Sequence, residues 1–385
     1  MKRIYMDNAA TTRMDARVLH AMLPYFSEKF GNASSLHASG REAAEALEQA
    51  RGKVAGVLGA KAGEVCFTSG GTEADNLAVK GAAFANSGKG NHIITSAIEH
   101  PAVLQTCKFL ERKGFEVTYL PVDGYGLVDA GALERAMTKK TILVSVMHAN
   151  NEVGTIEPAA EIGKICAGRG VLFHTDAVQT FGKIATDVKR LNADLLSMSS
   201  HKIYGPKGAG ALYIREGVAL EPLMHGGGHE RKMRAGTENI AGIAGFGEAA
   251  AICAREMKME AARETALREG LVKGVLSEIE GSRLNGHPKK RLPGNVNISF
   301  EGIEGESLIM RLDMKGIAAS TGSACSSKSL KASHVLLACG LEELEAHGSL
   351  RLTLGRTNTK ADVEYVLKAL PGIVEGLGKI SPIAK

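Results

Sequence analysis

The stretch Ser199-Ser200-His201-Lys202, running on into Ile203-Tyr204-Gly205-Pro206-Lys207-Gly208, holds the residue types from which covalent cofactor chemistry is built. A lysine stands behind two serines and a histidine, just ahead of a turn with glycine and proline. An aldehyde cofactor needs that set: an amine to form a Schiff base, hydroxyls for a phosphate, and a carboxylate elsewhere for a ring nitrogen. A lone loop lysine is ordinarily a solvated surface group, and these neighbours reverse that reading. Asp176 offers the carboxylate. It closes the apolar run Val171-Leu172-Phe173-His174-Thr175 and so falls at the carboxyl end of an expected buried strand, where open α/β sheets bind ligands. A buried carboxylate needs a partner, and a pyridinium nitrogen would be one; a helix N-cap is the plainer alternative. Gln179, one helical turn on, could reach a ring oxygen.

Other polar clusters follow apolar runs in the same way. Thr68-Ser69-Gly70-Gly71-Thr72-Glu73 joins an expected strand to a helix, where glycines allow close approach and a helix start attracts an anion. His100, in Glu99-His100-Pro101, could lie on a cofactor ring and exchange protons. Asn151, in His148-Ala149-Asn150-Asn151-Glu152, is placed to bond a ring hydroxyl. Gly226-Gly227-Gly228-His229-Glu230-Arg231 and Met233 to Asn239 form a glycine-rich polar loop, fit for phosphate contact or a subunit boundary. Cys325 sits in the small, polar run Ser320-Thr321-Gly322-Ser323-Ala324-Cys325-Ser326-Ser327-Lys328-Ser329, where a thiol is accessible and open to activation by a base. Arg351 could clamp a carboxylate with two parallel bonds.

The elements that must position these groups alternate. Strands are predicted at 65–68, 92–95, 116–120, 141–147, 171–175 and 195–198, with helices at 73–84, 102–113, 129–137 and 158–168. That rhythm predicts an α/β fold with a mostly parallel sheet covered on both faces. An amphipathic helix is expected before it, over 36–58. Beyond it, a long helix over 252–279 leads to strands at 295–300 and 349–354 and helices at 306–314 and 362–377. The expected division is a large domain over 15–260 and a smaller α+β domain of 1–14 and 261–385.

Composition narrows the function classes. The 385 residues are 44% hydrophobic and 23% charged, with a net charge of +5, as in ordinary globular proteins. Aromatics are 4% and Trp is absent, so stacking on nucleic acid is not expected. No apolar run reaches the roughly 18 residues of a bilayer span; the longest candidate, Ile240 to Cys253, is broken by Glu248 and glycines. The start Met1-Lys2-Arg3-Ile4-Tyr5-Met6-Asp7 lacks a leader's apolar segment, and a cytoplasmic protein is expected. Cysteines 66, 107, 166, 253 and 339 read as small buried hydrophobes, and Cys325 does not.

With these residues in place, the sequence resembles the cysteine desulfurases of the NifS/IscS type, within the class V aminotransferase superfamily. The likeness runs from Tyr5-Met6-Asp7-Asn8-Ala9-Ala10-Thr11-Thr12 to about residue 360. It passes through Thr68 to Asn76, His148 to Gly154, Asp176 to Gln179, Ser199 to Gly208, Gly226 to Thr237, Ser320 to Ser327 and Arg351 to Arg356. The resemblance implies fold type I, with a mostly parallel seven-stranded sheet. It implies that Lys202 holds pyridoxal phosphate and that Asp176 pairs with the ring nitrogen. His100 would stack on the ring, and Asn151 and Gln179 would bond near the phenolic oxygen. Gly71, Thr72, Ser199 and His201 would hold the phosphate, with Thr237 reaching that of a neighbouring subunit in a homodimer. Arg351, with Asn8 and Asn151, would bind the carboxylate of L-cysteine.

Lys202 would remove the Cα proton, and Cys325, activated by a base such as His100, would take the sulfur as a persulfide for an acceptor such as an iron–sulfur scaffold. No resident metal is implied; whether Cys325 ligates a cluster on such a scaffold stays open. Selenocysteine lyase and aminotransferase are the alternatives on the same fold. A non-catalytic scaffold has no use for Lys202.

Overall fold

Strands with no solvated position need helices on both faces, and this chain interleaves the two. The computed structural model describes residues 3–321 and 332–379. Its strands are β1 (Ile4–Tyr5), β2 (Val65–Thr68), β3 (His92–Ser96), β4 (Glu116–Leu120), β5 (Thr141–Ser145), β6 (Leu172–Asp176), β7 (Leu195–Ser199), β8 (Gly210–Ile214), β9 (Ser282–Leu284), β10 (Asn295–Phe300), β11 (Ile317–Ala318) and β12 (Ser349–Thr353). Seven form one sheet in the order β2-β8-β7-β6-β5-β3-β4. All neighbours are parallel except β8, which runs antiparallel to β2 and β7.

Every residue of β2, β3, β5 and β7 is buried. Successive side chains point to opposite faces, so adjacent residues of one strand enter different cores. Cys66, Ile93, Leu143 and Leu195 pack with the helices Gly71–Ala85 and Pro101–Glu111. Phe67, Ile94, Val144 and Leu196 pack on the other face, with the helices Ala38–Leu58 and Ala159–Arg169.

A third core surrounds the antiparallel sheet β12-β10-β9, with Val296, Ile298, Leu350, Leu352 and residues of the helix Lys360–Gly378. The parallel pair β1–β11 delivers Ile4, Met6 and Ile317 to that core. The helix Ile240–Glu278 serves two cores. Ile243, Phe246 and Ile252 belong to the large-sheet core, and Leu271 and Val275 to the one beside β10.

Several elements depart from the expectation, among them the long helix and one strand of the large sheet. The helix expected from 252 begins twelve residues earlier, at Ile240. Its glycines lower helix propensity but permit close packing: a Cβ at Gly247 would lie 2.6 Å from Ala50 Cα of the helix Ala38–Leu58. Strand β8 was not expected at all, because Gly210-Ala211 reads as the tail of the preceding glycine turn. It lies between β2 and β7 and pairs with both.

Candidate active site

The parallel strands point their carboxyl ends to one edge of the sheet, the ligand side of open α/β folds. β6 ends at Asp176, β7 at Ser199 and β2 at Thr68, and Gly210 of β8 pairs with both Ser199 and Thr68. Lys202 follows Ser199 through a single tight turn, Ser200–Lys202.

The N-terminal segment fixes that turn. Thr12 N–H and hydroxyl both donate to His201 O, at 2.9 Å each, and Tyr204 N–H donates to Thr12 Oγ1 at 2.7 Å. Lys202 Nζ donates to Ala9 O at 2.5 Å and to Ala10 O at 2.7 Å. Tyr204 holds φ +66°, a left-handed conformation unfavourable for a bulky side chain. It is kept there by Arg356, whose N–H donates to the phenol at 2.8 Å and whose guanidinium lies 4.4 Å over the ring. His201 Nδ1 meets Thr11 Oγ1 at 3.1 Å. Burial, with Lys202, Lys207 and Lys183 nearby, pulls its pKa down to about 4, so its imidazole is neutral.

Asp176 is buried and accepts Val178 N–H at 2.8 Å. Desolvation raises its pKa, opposed by His100, by that N–H bond and by Lys202. His100 caps the helix Pro101–Glu111, its Nδ1 accepting Ala102 N–H at 3.1 Å, with Pro101 at the first helical position. With Nδ1 engaged as an acceptor, the proton of the neutral ring belongs on Nε2. His100 therefore presents an N–H donor to the site, and desolvation lowers its pKa.

Arg351 is buried. Its Nη2 pairs with Asp7 Oδ1 at 2.9 Å and its Nη1 donates to Asn151 O at 3.0 Å. Its backbone exchanges hydrogen bonds with Ser320, at 2.6 and 3.2 Å. Gln179 Nε2 donates to Ala9 O at 3.0 Å. Asn8 Nδ2 donates to Thr353 O at 2.8 Å, which joins the N-terminal segment to β12. Asn150 is a turn residue, accepting from Glu152 and Val153 N–H, while Asn151 is the partly exposed neighbour.

Loop 226–239 is tied down at several points, Arg231 donating to Gly63 O and Val65 O at 2.7 Å each. Glu230 makes a buried two-bond pair with Arg51, both at 2.8 Å, and Arg234 pairs with Glu73 at 2.9 Å. Thr237 between these anchors and the helix Ile240–Glu278 is exposed. Cys325 lies outside the described residues. The other five cysteines are buried, and desolvation pushes their thiols up, Cys253 to about 11 and Cys107, Cys166 and Cys339 to about 12.

The donor set fits pyridoxal phosphate. Ser199 Oγ and Ser200 Oγ are buried with no hydrogen-bond partner among the described residues, and such groups call for an acceptor. The helix Gly71–Ala85 starts with no side-chain cap, leaving its first N–H groups for an anion. A Cβ at Gly71 would fall 2.6 Å from Val178 Cγ2, so only glycine lets this helix start close on the Asp176 turn. The buried Asp176 carboxylate would answer a ring N–H⁺, and Lys202 is an amine held in place by two carbonyls. Sequence reasoning passed over Asp75, His174 and the carboxyl of Glu99, all buried beside Asp176, and His334, whose Nε2 meets Glu99 O at 3.1 Å. Asp75 had a signal: it heads the stripe Ala78, Val79, Ala82 at helical spacing, an acid on an apolar face.

This sheet, with a lysine and an aspartate at neighbouring strand ends, defines a fold-type-I pyridoxal-phosphate enzyme. The aminotransferase class-V family pattern matches residues 4–366. The chain is 56% identical over 382 residues to the cysteine desulfurase IscS of Methanosarcina thermophila, covering 99% of this chain and 94% of that one. It is 54% identical over 383 residues to the cysteine desulfurase IscS of Dictyoglomus turgidum, covering 99% and 97%. A solved NifS-like protein superposes with a TM-score of 0.92 at 42% identity, covering 98% of this chain and 100% of that one. The chain belongs to the aminotransferase class-V family, in its group of NifS/IscS-type cysteine desulfurases.

Proposed function

We propose that this chain converts L-cysteine to L-alanine and passes the sulfur, through a persulfide on Cys325, to an acceptor in iron–sulfur cluster assembly. The observation that carries this reading is the convergence of Lys202, Asp176 and the unpartnered Ser199 hydroxyl at one sheet edge, in a chain alike over its whole length to cysteine desulfurases. Pyridoxal phosphate, when bound, supplies an electron sink that weakens bonds at the substrate α-carbon. Ser199, Thr72, His201 and the Gly71 amide hold its phosphate, and Asp176 faces its ring nitrogen. Asn151 and Gln179 serve its phenolic oxygen.

Arg351 binds the cysteine carboxylate, with Asn8 and Asn151 beside it. Lys202 Nζ takes the proton from the α-carbon, and His100 returns protons through Nε2. Cys325 thiolate attacks the substrate sulfur: an S–S bond forms, the Cβ–S bond breaks, and the carbon takes up a proton. Cysteine and the Cys325 thiol thus become alanine and the Cys325 persulfide, with atoms and electrons balanced. Two described residues flank this cysteine's segment at the site, Ser320 on the Arg351 backbone and Ser333 bonded to Glu152.

A homodimer completes the reading. Leu23, Phe26, Phe30 and Leu36 are 52, 64, 76 and 90% exposed, an apolar surface that a second copy would cover, and Thr237 would reach across to its phosphate. Five buried free thiols suit a reducing cytoplasm, and no described helix is long and apolar enough to cross a membrane.

Sulfide release from L-cysteine, selenide release from selenocysteine and transamination of a keto acid form the test. Wild type should release sulfide under a thiol reductant, and Cys325→Ala should bind the cofactor yet release none. Unchanged sulfide from Cys325→Ala would remove that thiol from the mechanism; transamination as the main activity would overturn the reading.

A further inference from the structure

Behind Asp176 lies a cluster of acids that the mechanism does not use. His174 and Asp176 are two apart on β6 and share a face, and Asp75 of the helix Gly71–Ala85 packs against that face. His174 is held by two hydroxyls, Ser145 Oγ at 2.8 Å on Nδ1 and Ser197 Oγ at 2.9 Å on Nε2. Asp75 Oδ1 stands 3.7 Å from His174 Nε2 and has no hydrogen-bond partner among the described residues. Distance alone would make this an ion pair. Yet the pair is fully buried, and desolvation drives the His174 pKa down to about 3 and that of Asp75 well up. Burial thus disfavours the charged form of each.

Glu99 completes the cluster. Its Oε1 accepts Ser96 Oγ at 2.6 Å and Met147 N–H at 2.9 Å, while Oε2 is buried with no partner among the described residues. The groups facing these two acids give them no cation. Asp75 faces His174, Ser197, Asp176 and Glu99; Glu99 faces Asp176, Glu157 and Cys107. Asp176 alone has a cation among its neighbours, Lys202, with His100 also beside it. Like charges crowded in a dry site do not all ionise.

We propose that Asp75 and Glu99 are positioning residues that keep their protons and so leave Asp176 the single anion behind the ring-binding site. Two neutral acids let Asp176 hold a full negative charge without a like-charged neighbour. That charge is then available to one partner, the ring nitrogen. The inference rests on the reading above that Asp176 faces that nitrogen.

Infrared spectroscopy of the cofactor-free protein tests the protons directly, since a protonated carboxyl has a carbonyl stretch that a carboxylate lacks. At pH 7, Asp75→Asn and Glu99→Gln should each remove one such carbonyl band. Loss of carboxylate intensity instead would overturn the proposal. Should a variant not fold, wild type decides: no protonated-carboxyl band at pH 7 sinks the idea.

The loaded protein gives the second readout. Its visible absorption should shift as Glu99 ionises around pH 8, a shift that Glu99→Gln abolishes. Persistence of the whole shift in Glu99→Gln would overturn the coupling to Asp176. A wild type that takes up no pyridoxal phosphate would instead sink the cofactor reading, with the infrared result still standing by itself.

Discussion

Lys202 and Gln179 meet at a single acceptor. The carbonyl oxygen of Ala9 receives Lys202 Nζ at 2.5 Å and Gln179 Nε2 at 3.0 Å. Ala9 is held in turn by its own N–H, which donates to Thr353 Oγ1 of β12 at 2.9 Å. Three segments far apart in sequence thus fix the amine: the N-terminal run, the turn after β6 and the last strand. The Lys202 amine is thus oriented by backbone carbonyls, the preorganisation that the proposed covalent site needs.

Gln179→Ala tests that arrangement. It removes the hydrogen bond to Ala9, together with any bond from Gln179 to the cofactor, and leaves the Lys202 bonds in place. A net hydrogen bond of about 0.5–1.5 kcal/mol corresponds to roughly 2- to 12-fold weaker retention of pyridoxal phosphate. Dialysis followed by absorbance of the bound cofactor measures this. Retention equal to wild type would show that Gln179 contributes neither through the Ala9 carbonyl nor to the cofactor itself.

Arg351 is expected to act on substrate and not on cofactor. Its guanidinium is already aimed by Asp7 and by Asn151 O, and its backbone bonds to Ser320 survive any side-chain change. Charge-assisted bonds contribute about 1.5–3 kcal/mol, so Arg351→Ala should raise KM for cysteine roughly 10- to 150-fold. Cofactor absorbance should hold. Equal loss of both would reassign Arg351 to structure.

Much of this site was legible because strand ends announce themselves. Asp176, Ser199 and Thr68 each close an apolar run, and in a parallel sheet all such ends fall on one edge. The hidden part was hidden for physical reasons. Asp75 is one acid at the head of an apolar helical stripe, and the stripe says that its face is inward without saying that the buried His174 stands against it. Asp7 lies 344 residues from Arg351, a contact that no local pattern carries. Strand β8 opens on Gly210-Ala211, small residues of low strand propensity, and its place between β2 and β7 is decided by the sheet. The early start of the helix Ile240–Glu278 depends on tertiary contact in the same way: Gly247 packs against Ala50 and Gly245 against Met22.

Arg51 is expected to be a stability residue with an indirect effect on the site. Its side chain and that of Glu230 are 3% and 2% exposed, and Glu230 also accepts Phe67 N–H at 2.8 Å. Arg51→Ala would leave the buried Glu230 without its cationic partner, which costs about 3–5 kcal/mol. Urea unfolding checks this. Adding Glu230→Gln should recover part of the loss, since the uncompensated charge is then gone; no recovery would mean that lost packing of Arg51 over the Phe67 ring dominates.

The buried acids also set how stability varies with pH. Desolvation pushes Glu157 up to about 8, and Glu99 likewise to about 8, from an ordinary carboxyl value of 4.5. The folded state then binds more protons than the unfolded one across that window, so these acids remove stability as pH rises. Buried histidines act oppositely. His148, lowered to about 4, and His174, lowered to about 3, leave the unfolded state with more protons below pH 6.5, and stability there falls as pH falls. The two trends oppose each other below pH 6.5, and above it the acids act alone. Unfolding free energy should therefore decline from pH 6.5 to 8. Glu157→Gln, which can still accept Val128 N–H, should flatten that decline by at most about 1.4 kcal/mol per pH unit. Urea midpoints at three pH values in this range measure the slope, and a stability that climbed through it would show these acids ionised in the fold.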